Sequence, residues 1–254
     1  MSLDKHFNDV LGKLLSNQDI IPISNAQLIH CIDLTLLETD ASAEVLYQLQ
    51  HQACQNDVAA ICVLPKHLHA FKPDAKIKLA TVINFPQGND DLLASLADID
   101  NAIQLGANEI DYVIPYQHYL RGNKQKALNH CDVIIQTCKK HQLTLKIILE
   151  TGAFPDMESI YQLSSEVIAL GGYFLKTSTG KIPQGATLAA AFAMACAIKD
   201  SSCASSCGIK ISGGIKTPLQ AQQYAQLIQL LMGKPIHKDW FRIGASTLLE
   251  KLLS

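Results

Sequence analysis

Short apolar runs bounded by turn residues alternate with amphipathic stretches eight times along the 254 residues, and only a few residues link one to the next. An apolar run of four to eight residues reads as a buried strand, and apolar residues three and four apart read as a helix packed on one face. The strands predicted are 29–34, 58–64, 78–83, 109–113, 143–149, 173–176, 208–211 and 240–243. Helices are predicted over 43–54, 91–105, 121–141, 156–170, 186–199, 217–232 and 246–253, with a short helical piece after Pro65. Asn89 and Asp90 offer caps for the helix at 91. Strands alternating with helices imply a parallel sheet, and eight such units favour a closed (β/α)8 barrel, the TIM-barrel architecture, over an open sheet. A further helix over 4–15 carries Phe7, Val10, Leu11, Leu14 and Leu15 at helical spacing. The expectation is one α/β barrel domain over 1–254, with 1–27 as an N-terminal helical extension.

Charge removes several classes of partner. The formal net charge is −2 with acids and bases interspersed, so neither nucleic acid nor a membrane surface is an expected partner. No run approaches the roughly 18 apolar residues of a membrane span. The opening MSLDKHFNDVLGKLLSN lacks a signal-peptide core, and the expected location is cytoplasmic. Eight cysteines are scattered without a CxxC pair and read as reduced thiols acting as small hydrophobes. His67-x-His69 reads as a pair of surface histidines, and neither metal nor cofactor is expected. Outward helices leave room for a homodimer, which one sequence does not specify.

Chemistry in such a barrel sits where strands end. The predicted ends bring together Asp33, Cys62, Asn84, Asp111, Glu150, Lys176, Lys210 and Gly244. Side chains alternate along a strand, so Glu109 and Asp111 share a face, as do Phe174 and Lys176. Lys146 and Lys210 alternate with apolar neighbours in the same way, which turns the charged set into the barrel. A buried ion-pair cluster is one reading, but desolvation makes such pairs poor stabilisers. The other reading is an amine nucleophile. Lysine needs its pKa brought down from about 10.4 to attack a carbonyl at neutral pH. A like charge about 4 Å away supplies about 4 kcal/mol at an effective dielectric of about 20. Lys210 is placed to supply it to Lys176, and Asp111 to shuttle protons. Loops 212–217 (SGGIKT) and 244–249 (GASTLL) bring glycines to helix starts, with Thr179-Gly180-Lys181 on a third side. Backbone N–H groups at such starts suit a phosphate.

The segments IDLTLL (32–37), AAICVLP, TVINFPQGND, EIDYVIPY, LKIILETG, FLKTSTGK, KISGGIKT and IGASTLL together resemble deoxyribose-phosphate aldolases, Schiff-base aldolases of the (β/α)8 class. The resemblance implies reversible cleavage of 2-deoxy-D-ribose 5-phosphate, a sugar phosphate, to acetaldehyde and D-glyceraldehyde 3-phosphate. It makes Lys176 the Schiff-base lysine, Lys210 the second active-site lysine and Asp111 the proton relay. It places Cys62 on the pocket wall and Asp33 and Thr179 near the substrate hydroxyl. Gly180, Lys181, Gly213, Gly214, Gly244, Ser246 and Thr247 match its phosphate cradle. The sequence departs in having Ile211-Ser212 where the family often has Pro-Ala, and in ending at Lys251–Ser254 without a tail carrying tyrosine. Another Schiff-base barrel aldolase and a non-catalytic sugar-phosphate barrel remain as rivals at this point.

Overall fold

The computed structural model describes residues 2–16, 21–71 and 76–254. Eight parallel strands, paired in chain order, close into a barrel. They are β1 (Ile32–Leu36), β2 (Ala60–Val63), β3 (Lys78–Ile83), β4 (Glu109–Val113), β5 (Thr144–Ile148), β6 (Phe174–Lys176), β7 (Gly208–Ser212) and β8 (Phe241–Ala245). The helices, in order, are α1 (Leu3–Leu15), α2 (Asn25–His30), α3 (Ala43–Gln55), α4 (Leu92–Gln104), α5 (Tyr116–Leu120), α6 (Lys124–Lys140), α7 (Met157–Ala169), α8 (Leu188–Asp200), α9 (Pro218–Met232) and α10 (Leu248–Leu253). Of the expected extension over 1–27, residues 1 and 17–20 lie outside the described residues.

Three expectations need correction, each for a local reason. Residues 29–30 belong to helix α2, because Ser24 and Gln27 form a reciprocal capping box that starts a helix there. Strand β1 therefore begins at Ile32, and Asp33 is its second residue instead of standing near its end. The helix expected over 121–141 begins at Lys124, because Gly122, with a φ of 88°, is not helical, and a separate short helix, α5, precedes it. Helix α4 is capped by Asp91, whose side chain accepts from Ala94 N–H at 2.8 Å, one residue beyond the predicted caps.

Helix α8 is apolar all round, and every residue from Ala190 to Ile198 is buried. A helix with no polar face must be covered on every side. The outer barrel wall covers one face, and α1 lies against α7, α8 and α9 to cover another. His6 and Phe7 meet Phe192 with ring centroids 5.1 and 5.2 Å apart. Val10 and Leu14 are buried in this contact, whereas Leu15, at the end of the stripe, is 76% exposed.

The barrel interior has two unlike halves. Along β2 and β3 it is filled by a small cluster of Ala60, Cys62, Ala80 and Val82. Long charged side chains from β1, β4, β5, β6, β7 and β8 fill the rest, where most barrels stack branched apolar layers. Small residues on one wall leave room for long ones from the other.

Candidate active site

Strand register sets the charged layers. Across the ladders, Asp111 pairs with Lys146, Lys176 with Lys210, and Lys210 with Arg242, while Asp33 pairs with Gly244. The alternation of strand side chains turns these residues inward. Asp111 is the hub. Its Oδ2 accepts from Lys176 Nζ at 2.7 Å and from Lys210 Nζ at 2.7 Å, and its Oδ1 accepts from Lys146 Nζ at 2.9 Å. Below it, Asp33 accepts from Lys210 at 2.5 Å and from Arg242 Nη1 at 2.6 Å. Glu109 holds Lys146 at 2.5 Å and Arg242 Nη2 at 3.2 Å. Phe174 closes the floor, with the Arg242 guanidinium 6.0 Å from its ring centre.

The connected network holds four cationic side chains and three carboxylates, and all seven residues are buried. Burial works against ionised Asp111, but Lys146, Lys176 and Lys210 outweigh it and hold the carboxyl well below the usual range. Asp33 is likewise held low, by Lys210, Lys146 and Arg242 against burial. Burial also works against charged Lys210, yet Asp111 and Asp33 overcome it and raise its pKa. Lys146 is raised in the same manner. Lys176 goes the other way. Burial pushes it down, Asp111 opposes, and Lys210 adds to the lowering. Desolvation therefore leads, ahead of the like-charge neighbour that sequence reasoning named as the supplier. Lys176 is the surplus cation, bound to a single carboxylate oxygen that it shares with Lys210.

Above the network a cavity of ≈ 270 Å³ opens at the C-terminal ends of the strands. Lys176 reaches it; Lys210 and Asp111 do not line it. Its walls include Thr179, Gly180, Lys181, Gly213, Gly214, Gly244 and Ser246, all expected on sequence grounds. Two glycines are required by space. A Cβ on Gly244 would stand 3.0 Å from Lys210 Cε and 2.9 Å from Ser212 Cβ, so any side chain there would push into the network. Gly213, at φ 93°, turns back so closely that a Cβ on Gly185 would fall 2.2 Å from its carbonyl oxygen. Ser212 ties the same loops together, donating from its hydroxyl to Ser178 O at 2.6 Å. An alanine at position 212 could not make that bond.

Other expected residues sit further from the opening. Asp33 lies within the network, and Thr35 and Leu36 of β1 stand at the mouth. Cys62 is fully buried, 3.9 Å from Asp111 Oδ2, and burial pushes its thiol up to about 11. Thr247 is exposed, one residue past the lining Ser246. His67, expected at the surface, is buried, with Nε2 3.0 Å from the carbonyl oxygen of Glu38 in the loop after β1. The structure adds Arg242, which the alternation of Phe241 and Ile243 would have revealed by the rule that found Lys210. Glu150, expected among the strand ends, stands apart from the charged network, and its buried carboxylate accepts from Thr179 Oγ1 at 2.5 Å and from Thr179 N at 3.2 Å.

A parallel eight-stranded barrel with one buried amine open to a glycine-walled cavity at its C-terminal mouth has the arrangement of a (β/α)8 enzyme. The chain belongs to the DeoC/LacD family of aldolases, whose sequence model matches residues 27–250, and is thereby a carbon–carbon lyase. Among solved structures, an aldolase named QR15 is 24% identical over 89% of this chain and 96% of its own, with a TM-score of 0.76. A tetrameric deoxyribose phosphate aldolase from Aeropyrum pernix is 24% identical over 97% of this chain and 96% of its own, also at 0.76. At these identities the likeness is one of fold.

Proposed function

We propose that the chain is a deoxyribose-phosphate aldolase that cleaves 2-deoxy-D-ribose 5-phosphate through a Schiff base on Lys176. The observation that carries this reading is the separation of roles among the three lysines. Lys176 alone of them lines the cavity, and its pKa alone is lowered, so the amine that meets substrate is the one that can be neutral.

The neutral amine adds to the C1 aldehyde and loses water to give an iminium. The C3 hydroxyl then gives up its proton, through an ordered water, to the Asp111–Lys210 pair, the C2–C3 bond breaks, and its electron pair moves onto the iminium to leave a two-carbon enamine. The C3 oxygen becomes the carbonyl of the departing three-carbon aldehyde phosphate. Lys210 is protonated and Asp111 ionised at rest, so the pair can take up the C3 hydroxyl proton and return it through the same water to C2 of the enamine. Protonation of the enamine at C2 regenerates an iminium, and hydrolysis frees acetaldehyde and the amine. The loops of Gly213-Gly214, Ser246 and Lys181 face the phosphate end. A catabolic role in a reducing cytoplasm belongs to the same reading, and the eight cysteines are free thiols, six of them buried. No helix among the described residues is long and apolar enough to cross a membrane.

Borohydride with deoxyribose 5-phosphate is expected to fix a two-carbon adduct on Lys176, read by peptide mass. Undiminished trapping in Lys176→Ala overturns the assignment.

A further inference from the structure

Glu150 stands at the end of β5 in the left-handed region, φ 55° and ψ 57°, where non-glycine residues are uncommon. This turn directs its carboxylate inward, where it is fully buried. Nothing in the proposed mechanism uses it. Its partners belong to one residue. Thr179 Oγ1 donates to Oε2 at 2.5 Å, and Thr179 N donates to both oxygens, at 3.2 and 3.4 Å. Lys181 N donates in turn to Thr179 Oγ1 at 3.0 Å. A hydroxyl has one hydrogen and two lone pairs. The hydrogen of Thr179 is taken by Glu150 and one lone pair by Lys181, so the cavity is offered one lone pair and no hydrogen.

We propose that Glu150 is a positioning residue that makes the Thr179 hydroxyl an acceptor only, so that the site selects an aldehyde phosphate carrying a hydroxyl next to its phosphate-bearing carbon. The proposal rests on the aldolase reading above. Lys176, Thr179, Gly180 and Lys181 line the same cavity. Thr179 falls in the chain between the amine and the loop assigned to the phosphate, so in that reading its hydroxyl meets the middle of a three-carbon acceptor. A hydroxyl there donates to the free lone pair. A methylene leaves that lone pair unsatisfied, and a carbonyl oxygen faces it with a second acceptor.

The test is condensation of acetaldehyde with D-glyceraldehyde 3-phosphate and, separately, with 3-oxopropyl phosphate, the same acceptor without the hydroxyl. The readout is the ratio of the two kcat/KM values, with each variant scored on the fraction of chains that borohydride traps with acetaldehyde. Unaltered protein is expected to prefer the hydroxylated acceptor by about tenfold or more. In Glu150→Ala the ratio should fall to within about threefold of unity, and Glu150→Gln, whose amide oxygen still accepts, should keep most of it. Thr179→Val should abolish the preference, and adding Glu150→Ala to it should cost nothing more. Glu150→Met, which keeps the chain length, replaces the alanine variant if that does not fold. An unaltered protein indifferent to the hydroxyl, an unchanged ratio in Glu150→Ala, equal losses on both acceptors, or a glutamine variant as poor as alanine each overturns the proposal. Failure of acetaldehyde trapping in unaltered protein sinks the Schiff-base reading instead.

Discussion

Replacing Lys210 by methionine isolates the electrostatic part of the Lys176 pKa. The two ammonium nitrogens each lie 2.7 Å from the same Asp111 oxygen, on residues directly paired across β6 and β7. That puts them at most about 5 Å apart, where one like charge costs at least about 3 kcal/mol at an effective dielectric of about 20. At 1.36 kcal/mol per unit, this corresponds to about two pH units. Removing Lys210 also strips a cation from Asp111, which then pulls harder on Lys176, so both effects raise its pKa. Only the neutral amine attacks, so imine formation rises with pH through that pKa, and the rising limb should move to higher pH. The assay is the pH dependence of borohydride-trapped imine formation with acetaldehyde. Turnover is the wrong readout, because Lys210 also belongs to the proposed proton relay. Asp33 keeps Arg242 at 2.6 Å and Lys146 at 3.4 Å, which favours a folded variant, checked by circular dichroism. A limb that stays in place, or moves to lower pH, refutes the reasoning and leaves burial as the whole cause.

Lys176→Met removes the surplus buried cation while Asp111 keeps Lys146 and Lys210, so the variant should be inactive yet more stable by about 1–3 kcal/mol in denaturant melts. Because the folded pKa of Lys176 lies below its ordinary 10.5, unaltered protein should also gain stability as pH rises across that interval, and the methionine variant should lose this gain. Gly185→Ala drives a Cβ to within 2.2 Å of Gly213 O. It should raise KM for deoxyribose 5-phosphate by about tenfold or more while slowing acetaldehyde trapping, which involves no phosphate, far less; equal losses contradict a phosphate role for that loop. Arg242→Ala leaves Asp33 Oδ1 and Glu109 Oε1 without their guanidinium and should cost about 3–5 kcal/mol of stability. The stability that depressed Asp33 contributes is present above its ordinary 3.8 and lost as pH falls through the folded value. The same variant should therefore unfold at higher pH on acid titration, and an unmoved acid midpoint contradicts the assigned role.

The alternation of strands and helices was legible because burial has a period in the chain: two along a strand, between three and four along a helix. The predicted spans 78–83 and 109–113 coincide with β3 and β4. Helix α2 was missed because its six residues hold too few turns to show periodicity, while its capping box is a local signal that periodicity does not register. The phase of each strand was enough to turn Glu109, Asp111, Lys146, Lys176 and Lys210 inward.

Sequence by itself determined which side chains enter the barrel, because inward and outward positions follow from alternation along a single strand. It could not say who meets whom. That Lys176 and Lys210 share one oxygen of Asp111, that Asp33 sits beneath them bound to Arg242, and that Glu150 takes the hydrogen of Thr179 depend on the stagger of strands around a closed sheet. Those partners are separated by 29 to 209 residues in the chain; strand pairing brings Lys176 to Lys210, and closure of the barrel brings Asp33 on β1 to Arg242 on β8. The same closure decides which lysine reaches the cavity, and so which amine is free to lose its proton.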